Sequence, residues 1–305
     1  MLWEKRGQVF AVAGRDALRH SHAALPCGHP VPGHGFRVYY SSRDRKNRAR
    51  VFHLDLDLAN FAYGPTVLAH SGVPDVDLGP AGAFDDSGAT VSTVVPHGND
   101  LYLYYSGWSL GVTVPFYFYI GLAVSTDGGA TFEKVSGAPV LGRSAADPFL
   151  TASPAVLVEN GTWRMWYVSG IGWLGRGARR EPSYHIKYAE SADGVTWKPR
   201  GRVCLDFDNP GEVAFGRPCV LKHGNAYRMW YCMRGDAYRI GYAESSDGLE
   251  WTRKDSEAGM APSDQGWDSQ MQAYPFVFEH AGLLVMLYNG NGYGKTGFGM
   301  ALARW

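Results

Sequence analysis

The chain has 305 residues, 45% of them hydrophobic, which is enough to bury a large core, and its 14% aromatics and 39 glycines suit a turn-rich all-β protein. Basic and acidic residues number 29 each, the net charge is zero and no like-charge block occurs, so neither nucleic acid nor an anionic membrane is an expected partner. No apolar run approaches the ~18 residues of a membrane span and the first residues lack the apolar stretch of a secretory signal, which points to a cytoplasmic protein with no membrane insertion.

In chain order, Trp3-Glu-Lys-Arg-Gly-Gln-Val-Phe10 comes first, and it matches Trp197-Lys-Pro-Arg-Gly-Arg-Val-Cys204 further on. Five units then follow, at residues 21–69, 87–141, 151–205, 214–254 and 272–305. In each, a proline or its stand-in opens a first strand and a Tyr closes a second. The pairs Ser92/Tyr105, Pro154/Tyr167, Pro218/Tyr231 and Pro275/Tyr288 are 13 apart, with Pro26/Tyr40 at 14. Third strands are predicted at 50–56, 119–125, 184–191, 238–245 and 297–304. The last unit stops after its third strand, while the N-terminal segment reads as a fourth. The expected architecture is therefore a five-bladed β-propeller, a single domain over residues 1–305, closed by an N-terminal strand that completes the last blade.

Between third and fourth strands three units carry Ser-x-Asp-Gly, at Asp127, Asp193 and Asp247, followed by an aromatic. Repetition at equivalent positions argues for a turn device, the carboxylate accepting backbone N–H groups and the ring packing between blades. The third unit has a longer loop over 170–182 with Trp173, Arg176, Arg179 and Arg180, readable as a lid or as a solvated insertion. The four cysteines, Cys27, Cys204, Cys219 and Cys232, form no C-x-x-C pair and are expected as free thiols.

In a propeller the first strands line the axis, so chemistry is expected just upstream of them. Six or seven residues before each opening position lie Asp85 and Asp86, Asp147, Glu212 and Asp268, whereas the first unit has Arg19, His20 and His22. Carboxylates gathered in one cleft shift each other's pKa values and can divide into acid and base, which is what glycoside cleavage needs. Asp85-Asp86-Ser-Gly also reads as a turn and Asp147-Pro as a strand-entry cap, while Glu212 has little local structural excuse. Asp86, Glu212, Asp147 and Asp268 are the candidate catalytic residues. Trp108, Trp173, Trp267 and Tyr274 could stack on sugar rings, and His22, Asp85, Arg217 and Arg234 could hold polar groups. An Arg opening an inner strand, as Arg217 does, needs a partner such as Glu212 or a ligand. His20 and His22 offer no clear third ligand, so neither metal nor cofactor is expected.

The units, the Ser-x-Asp-Gly turns and the acids resemble the five-bladed propeller glycosidases, glycoside hydrolase families 43, 32, 68, 117 and 130. Phe84-Asp-Asp-Ser-Gly88, Arg164-Met-Trp-Tyr167, Tyr184-His-Ile-Lys-Tyr-Ala-Glu-Ser191 and the stretch Tyr288-Asn-Gly-Asn-Gly-Tyr-Gly-Lys-Thr-Gly-Phe298 resemble a set of bacterial glycosidase-like proteins linked with surface-polysaccharide genes. The resemblance implies a carbohydrate-active enzyme cleaving a glycoside or sugar conjugate. Glycosyl transfer or phosphorolysis, with Arg217 and an Arg of the third unit's loop on phosphate, and sugar binding without catalysis are the alternatives. Such hydrolases place an Asp in the first blade and often an acid directly before the strand's proline. Here the pre-proline residues are Leu25, Ser153, Arg217 and Tyr274.

Overall fold

The computed structural model describes the whole chain except residues 33–34, 60 and 176–179. The regular structure is almost entirely antiparallel strand. The first unit contains β2 (Ser21–Val31), β3 (Gly35–Arg43), β4 (Ala49–Asp57) and β5 (Thr66–His70), after an N-terminal β1 (Glu4–Phe10). The second contains β6 (Gly88–His97), β7 (Asp100–Leu110), β8 (Phe116–Ser125) and β9 (Glu133–Lys134). Strands β10 (Thr151–Glu159), β11 (Thr162–Leu174), β12 (Glu181–Ser191) and β13 (Lys198–Leu205) make the third. The fourth is β14 (Ala214–His223), β15 (Ala226–Arg234), β16 (Tyr238–Ser245) and β17 (Thr252–Arg253), and the fifth begins with β18 (Ala273–His280), β19 (Leu283–Asn289) and β20 (Phe298–Ala303).

Within each unit neighbouring strands pair in sequence order, and single parallel bridges, Ala49 with Gly88 and Tyr184 with Ala214, join adjacent units. In the last unit the order is β18-β19-β20-β1, with Glu4 opposite Leu302 and Phe10 opposite Phe298. The N-terminal strand thus occupies the fourth place beside β20, which would otherwise be an unpaired edge.

First strands pack on first strands: β2 on β6, β6 on β10, β10 on β14, β14 on β18 and β18 on β2. The apolar core is divided accordingly, each cluster lying between two successive units. Val91 and Tyr105 pack with Cys27 and Val51, Met165 and Trp197 with Tyr104 and Leu122, and Met229 and Tyr231 with Trp166 and Ile186. Met286 packs with Trp230, and Phe298 and Met300 of the fifth unit pack with Val38, Tyr40 and Leu54 of the first. Such buried rings and aliphatics each contribute about 1.5–3 kcal/mol.

The Ser-x-Asp-Gly segments are the turns expected of them. Asp193 Oδ1 accepts N–H groups of Val195 and Thr196 at 2.8 and 2.7 Å, and Asp247 Oδ1 those of Leu249 and Glu250 at 2.8 and 2.9 Å. The following ring reaches back to an aromatic of the preceding unit: Phe132 to Tyr39, Trp197 to Tyr104, Trp251 to Trp166. Trp3 repeats this contact with Trp230, ring centroids 6.2 Å apart, so the N-terminal segment matches Trp197 in packing as well as in sequence.

Candidate functional site

In four units the residue before the proline has a positive φ: 55° at Leu25, 46° at Ser153, 50° at Arg217 and 57° at Tyr274. Each sits where the register between first and second strand shifts, as a β-bulge does, for example between Gly216 and Cys219. A non-glycine residue held there costs about 1–3 kcal/mol, and bulges of this kind re-aim side chains beside functional sites. All four residues line one cavity of about 440 Å3. Ends of second strands add Arg43, Trp108 and Arg234, and Tyr184, Tyr238 and Tyr293 supply further rings. Trp108 fits because Gly88 has no side chain: a Cβ there would meet its Nε1 at 1.5 Å.

The charge of this cavity is the reverse of the sequence expectation. Among the described residues lining it, Arg43, Arg180, Arg217 and Arg234 face a single carboxylate, Glu181. Glu181 lies 3.2 Å from Arg234, which also donates to the Pro182 carbonyl at 3.0 Å. Arg217 is only 2% exposed and donates to the carbonyls of Pro26 (2.9 Å), Leu25 (3.4 Å) and Ser92, in the first strands of two other units. Tyr184 and Tyr238 hydrogen-bond through their hydroxyls, and burial raises both pKa values.

Of the twelve residues anticipated from sequence, the cavity lining includes Trp108, Arg217, Arg234 and Tyr274 and not the others. The acids are engaged elsewhere. Asp85, Asp147 and Asp268 are 2%, 0% and 2% exposed, and each accepts a hydrogen bond from the tyrosine that closes its second strand. Tyr105 donates to Asp85 at 2.9 Å, Tyr167 to Asp147 at 3.0 Å and Tyr288 to Asp268 at 3.0 Å. A lysine completes each clasp: Lys134 at 2.6 Å, Lys187 at 3.4 Å and Lys5 at 2.7 Å. The tyrosines that mark the repeat and the acids upstream are therefore two halves of one structural device. In the fourth unit Tyr231 donates to Asp255 instead, at 2.6 Å, and Arg253 takes the lysine's place at 2.8 Å.

Glu212 lies on the other side of Arg253, which also pairs with Asp208 at 2.9 Å. Burial alone would raise its pKa, but Arg253 and the Asp208 and Asn209 N–H groups overcome this and hold it at about 2. The arginine that tunes Glu212 is thus Arg253 and not Arg217, which reaches carbonyls only. Asp86 closes a local turn, accepting from the Gly82 N–H at 3.0 Å and the Ser87 hydroxyl at 2.8 Å. Trp267 packs at a tilt against Tyr288, ring centroids 5.1 Å apart. Trp173 lies in β11, which runs on to Leu174 where a loop was expected, and packs edge-on to Phe116. Arg176 and Arg179 of the anticipated lid lie outside the described residues. His22 contacts the Ser21 hydroxyl, and burial with the charges of Arg43 and Lys295 lowers its pKa to about 4. Among the described residues no cluster of His, Cys, Asp and Glu has the makings of a metal site, and no helix is long and apolar enough to cross a membrane.

Glu181 and Arg43 were not anticipated. The one signal was spacing: Arg43 and Arg234 both fall three residues after a repeat tyrosine, at Tyr40 and Tyr231.

No protein-family model matches the chain. Uncharacterized protein Rv1502 of Mycobacterium tuberculosis strain H37Rv is 43% identical over 302 residues, spanning 99% of both chains. The protein belongs to the Rv1502 family. Uncharacterized protein MT1551 of M. tuberculosis strain CDC 1551 matches to the same extent, 43% over 302 residues. Among solved structures, the Rv1502-family chain superimposes on a glycoside hydrolase with a TM-score of 0.74 at 16% identity, covering 98% of this chain and 90% of that one. A thermostable family-43 glycoside hydrolase gives 0.66 at 16% identity, covering 95% and 91%. The β-1,2-mannobiose phosphorylase from Listeria innocua gives 0.70 at 10% identity, covering 99% and 96%. At these identities the likeness is one of fold: the Rv1502 family has the propeller-like fold of these enzymes.

Proposed function

We propose that residues 1–305 form one domain, a five-bladed propeller closed by β1, and that it is a glycosidase-type enzyme acting on a glycoside or sugar conjugate in the cavity. Ring order supports closure: the first strands contact one another cyclically and an apolar core lies between the fifth and first units. The observation that carries the functional reading is the convergence of four strained pre-proline positions on one cavity, in a fold shared with glycoside hydrolases and a mannobiose phosphorylase. Its size is that of a small-ligand pocket, and Trp108 and Tyr274 offer flat faces for sugar stacking. The likeness to glycosidase-like proteins linked with surface polysaccharides fits this reading.

Glu181 is the one carboxylate among the described residues lining the cavity and therefore the candidate catalytic acid residue, its ion pair with Arg234 suiting a base that activates water or phosphate better than a proton donor. Asp86, Asp147, Glu212 and Asp268 keep a supporting place, holding the loops around the first strands. The experiment is a screen of aryl glycosides and nucleotide sugars, with and without inorganic phosphate, on wild type and Glu181→Gln. Turnover that falls about 100-fold in Glu181→Gln, with the fold intact, supports the assignment; undiminished turnover contradicts it.

Among the described lining residues Glu181 is the lone carboxylate, where glycoside hydrolysis ordinarily uses two, and this favours a second reading in which the same cavity binds the sugar without cleaving it. Saturable sugar binding with no turnover in the screen would select that reading.

A further inference from the structure

A buried charge is stable when it is paired, and the cavity arginines are not paired with acids in proportion. Arg217 is 2% exposed, yet its guanidinium reaches only backbone carbonyls, which offset a full positive charge in part. Arg43 donates to the Asn47 side chain at 3.0 Å, and no carboxylate forms an ion pair with it among the described residues. Burial lowers the Arg43 pKa with only Tyr274 acting against it, as expected of a cation without an acidic partner. The Nε atoms of Arg217 and Arg234 are buried and find no hydrogen-bond acceptor among the described residues. Nor can the residues outside the description supply the missing charge, because Gly33, His34, Asn60, Arg176, Gly177, Ala178 and Arg179 include no carboxylate.

Building on the carbohydrate reading above, we infer that the sugar taken by this cavity carries an anionic oxygen group, a phosphate or a carboxylate, held by Arg43, Arg217 and Arg234. The arginines come from different places, the end of β3, the bulge of β14 and the end of β15, with Tyr274 and Trp108 also on the walls. A cavity of about 440 Å3 with aromatic walls exceeds what a lone inorganic anion fills. It suits a ligand with apolar ring faces and a charged edge. Guanidinium is the side chain best matched to such a group, since its planar fork meets two oxygens at once.

The test measures binding by calorimetry in a phosphate-free buffer, with glucose 6-phosphate, glucuronic acid, methyl glucoside and inorganic phosphate as probes. Arg43→Gln and Arg234→Gln are the variants, their folding checked by circular dichroism. Arg217 is left alone because it ties three carbonyls together. The expected result is that glucose 6-phosphate or glucuronic acid binds at least about 10-fold tighter than methyl glucoside, and that each variant removes most of this advantage. Whichever of the two wins assigns the anion as phosphate or carboxylate. Methyl glucoside binding as tightly as both, with Arg43→Gln without effect, would overturn the inference and leave the carbohydrate reading standing. Inorganic phosphate matching glucose 6-phosphate would overturn it too, since the anion would then be a separate ion. Failure of every probe to bind would count against the carbohydrate reading itself, and the inference would fall with it.

Discussion

Glu212 shows how a residue with no local excuse in sequence acquires one in three dimensions. Its partner Arg253 is 41 positions away and reaches it from the fourth strand of the same unit. A carboxylate held at about 2 against an ordinary 4.5 contributes stability that is complete above pH 4.5 and disappears as pH falls through 2. Glu212→Gln is therefore expected to cost about 2 kcal/mol at neutral pH, by urea denaturation, with the deficit shrinking below pH 4.5. An equal deficit at pH 7 and pH 2.5 would contradict the ion-pair account. Asp147 is the sharper case, fully buried and accepting from Tyr167, Ser169 and Lys187. Asp147→Ala takes the acceptor away from these groups and from the Ser144 hydroxyl, and is expected to destabilise by about 3 kcal/mol or more. A loss below about 0.5 kcal/mol would remove the clasp as an explanation of the repeat.

Elements were legible wherever a repeat exposed them. Trp3–Phe10 could be assigned as a fourth strand because its residues match Trp197–Cys204, and β1 does pair with β20. Removing residues 1–10 would bare the β20 edge, take Trp3 from Trp230 and take Lys5 from Asp268. Thermal unfolding of that truncation should fall by roughly 10 °C or more; an unchanged midpoint would contradict the role given to β1. What sequence could not show was direction. Asp85 and Trp108 stand on the same unit, but the bare Gly88 makes room for Trp108 at the cavity while Tyr105 holds Asp85 in a buried clasp. Gly88→Ala is accordingly expected to displace the Trp108 ring, seen as a shift in tryptophan emission, with little loss of secondary structure. Unaltered emission would show that the ring does not depend on that glycine.

At the scale of the whole molecule, the propeller-like all-β fold was readable because units recur with a spacing of 13 or 14 residues from strand opening to tyrosine, while the chemistry of its centre was not. The upstream acids looked like a catalytic ring because four units carry them, yet three of them, Asp85, Asp147 and Asp268, sit in the same Tyr–acid–lysine clasp, and in the fourth unit Asp255 takes that place while Glu212 pairs with Arg253. Positions that differ from unit to unit, Leu25, Ser153, Arg217 and Tyr274, are those the bulges aim into the cavity. Their variety fits an asymmetric ligand. The central claim, that this cavity is a carbohydrate site, is tested most directly by a crystal structure of the protein soaked with the best-binding sugar found in solution. The account predicts sugar density inside the cavity, within hydrogen-bonding reach of Arg43 or Arg234 and against the faces of Trp108 or Tyr274; density on any other surface, with the cavity holding only water, would contradict it.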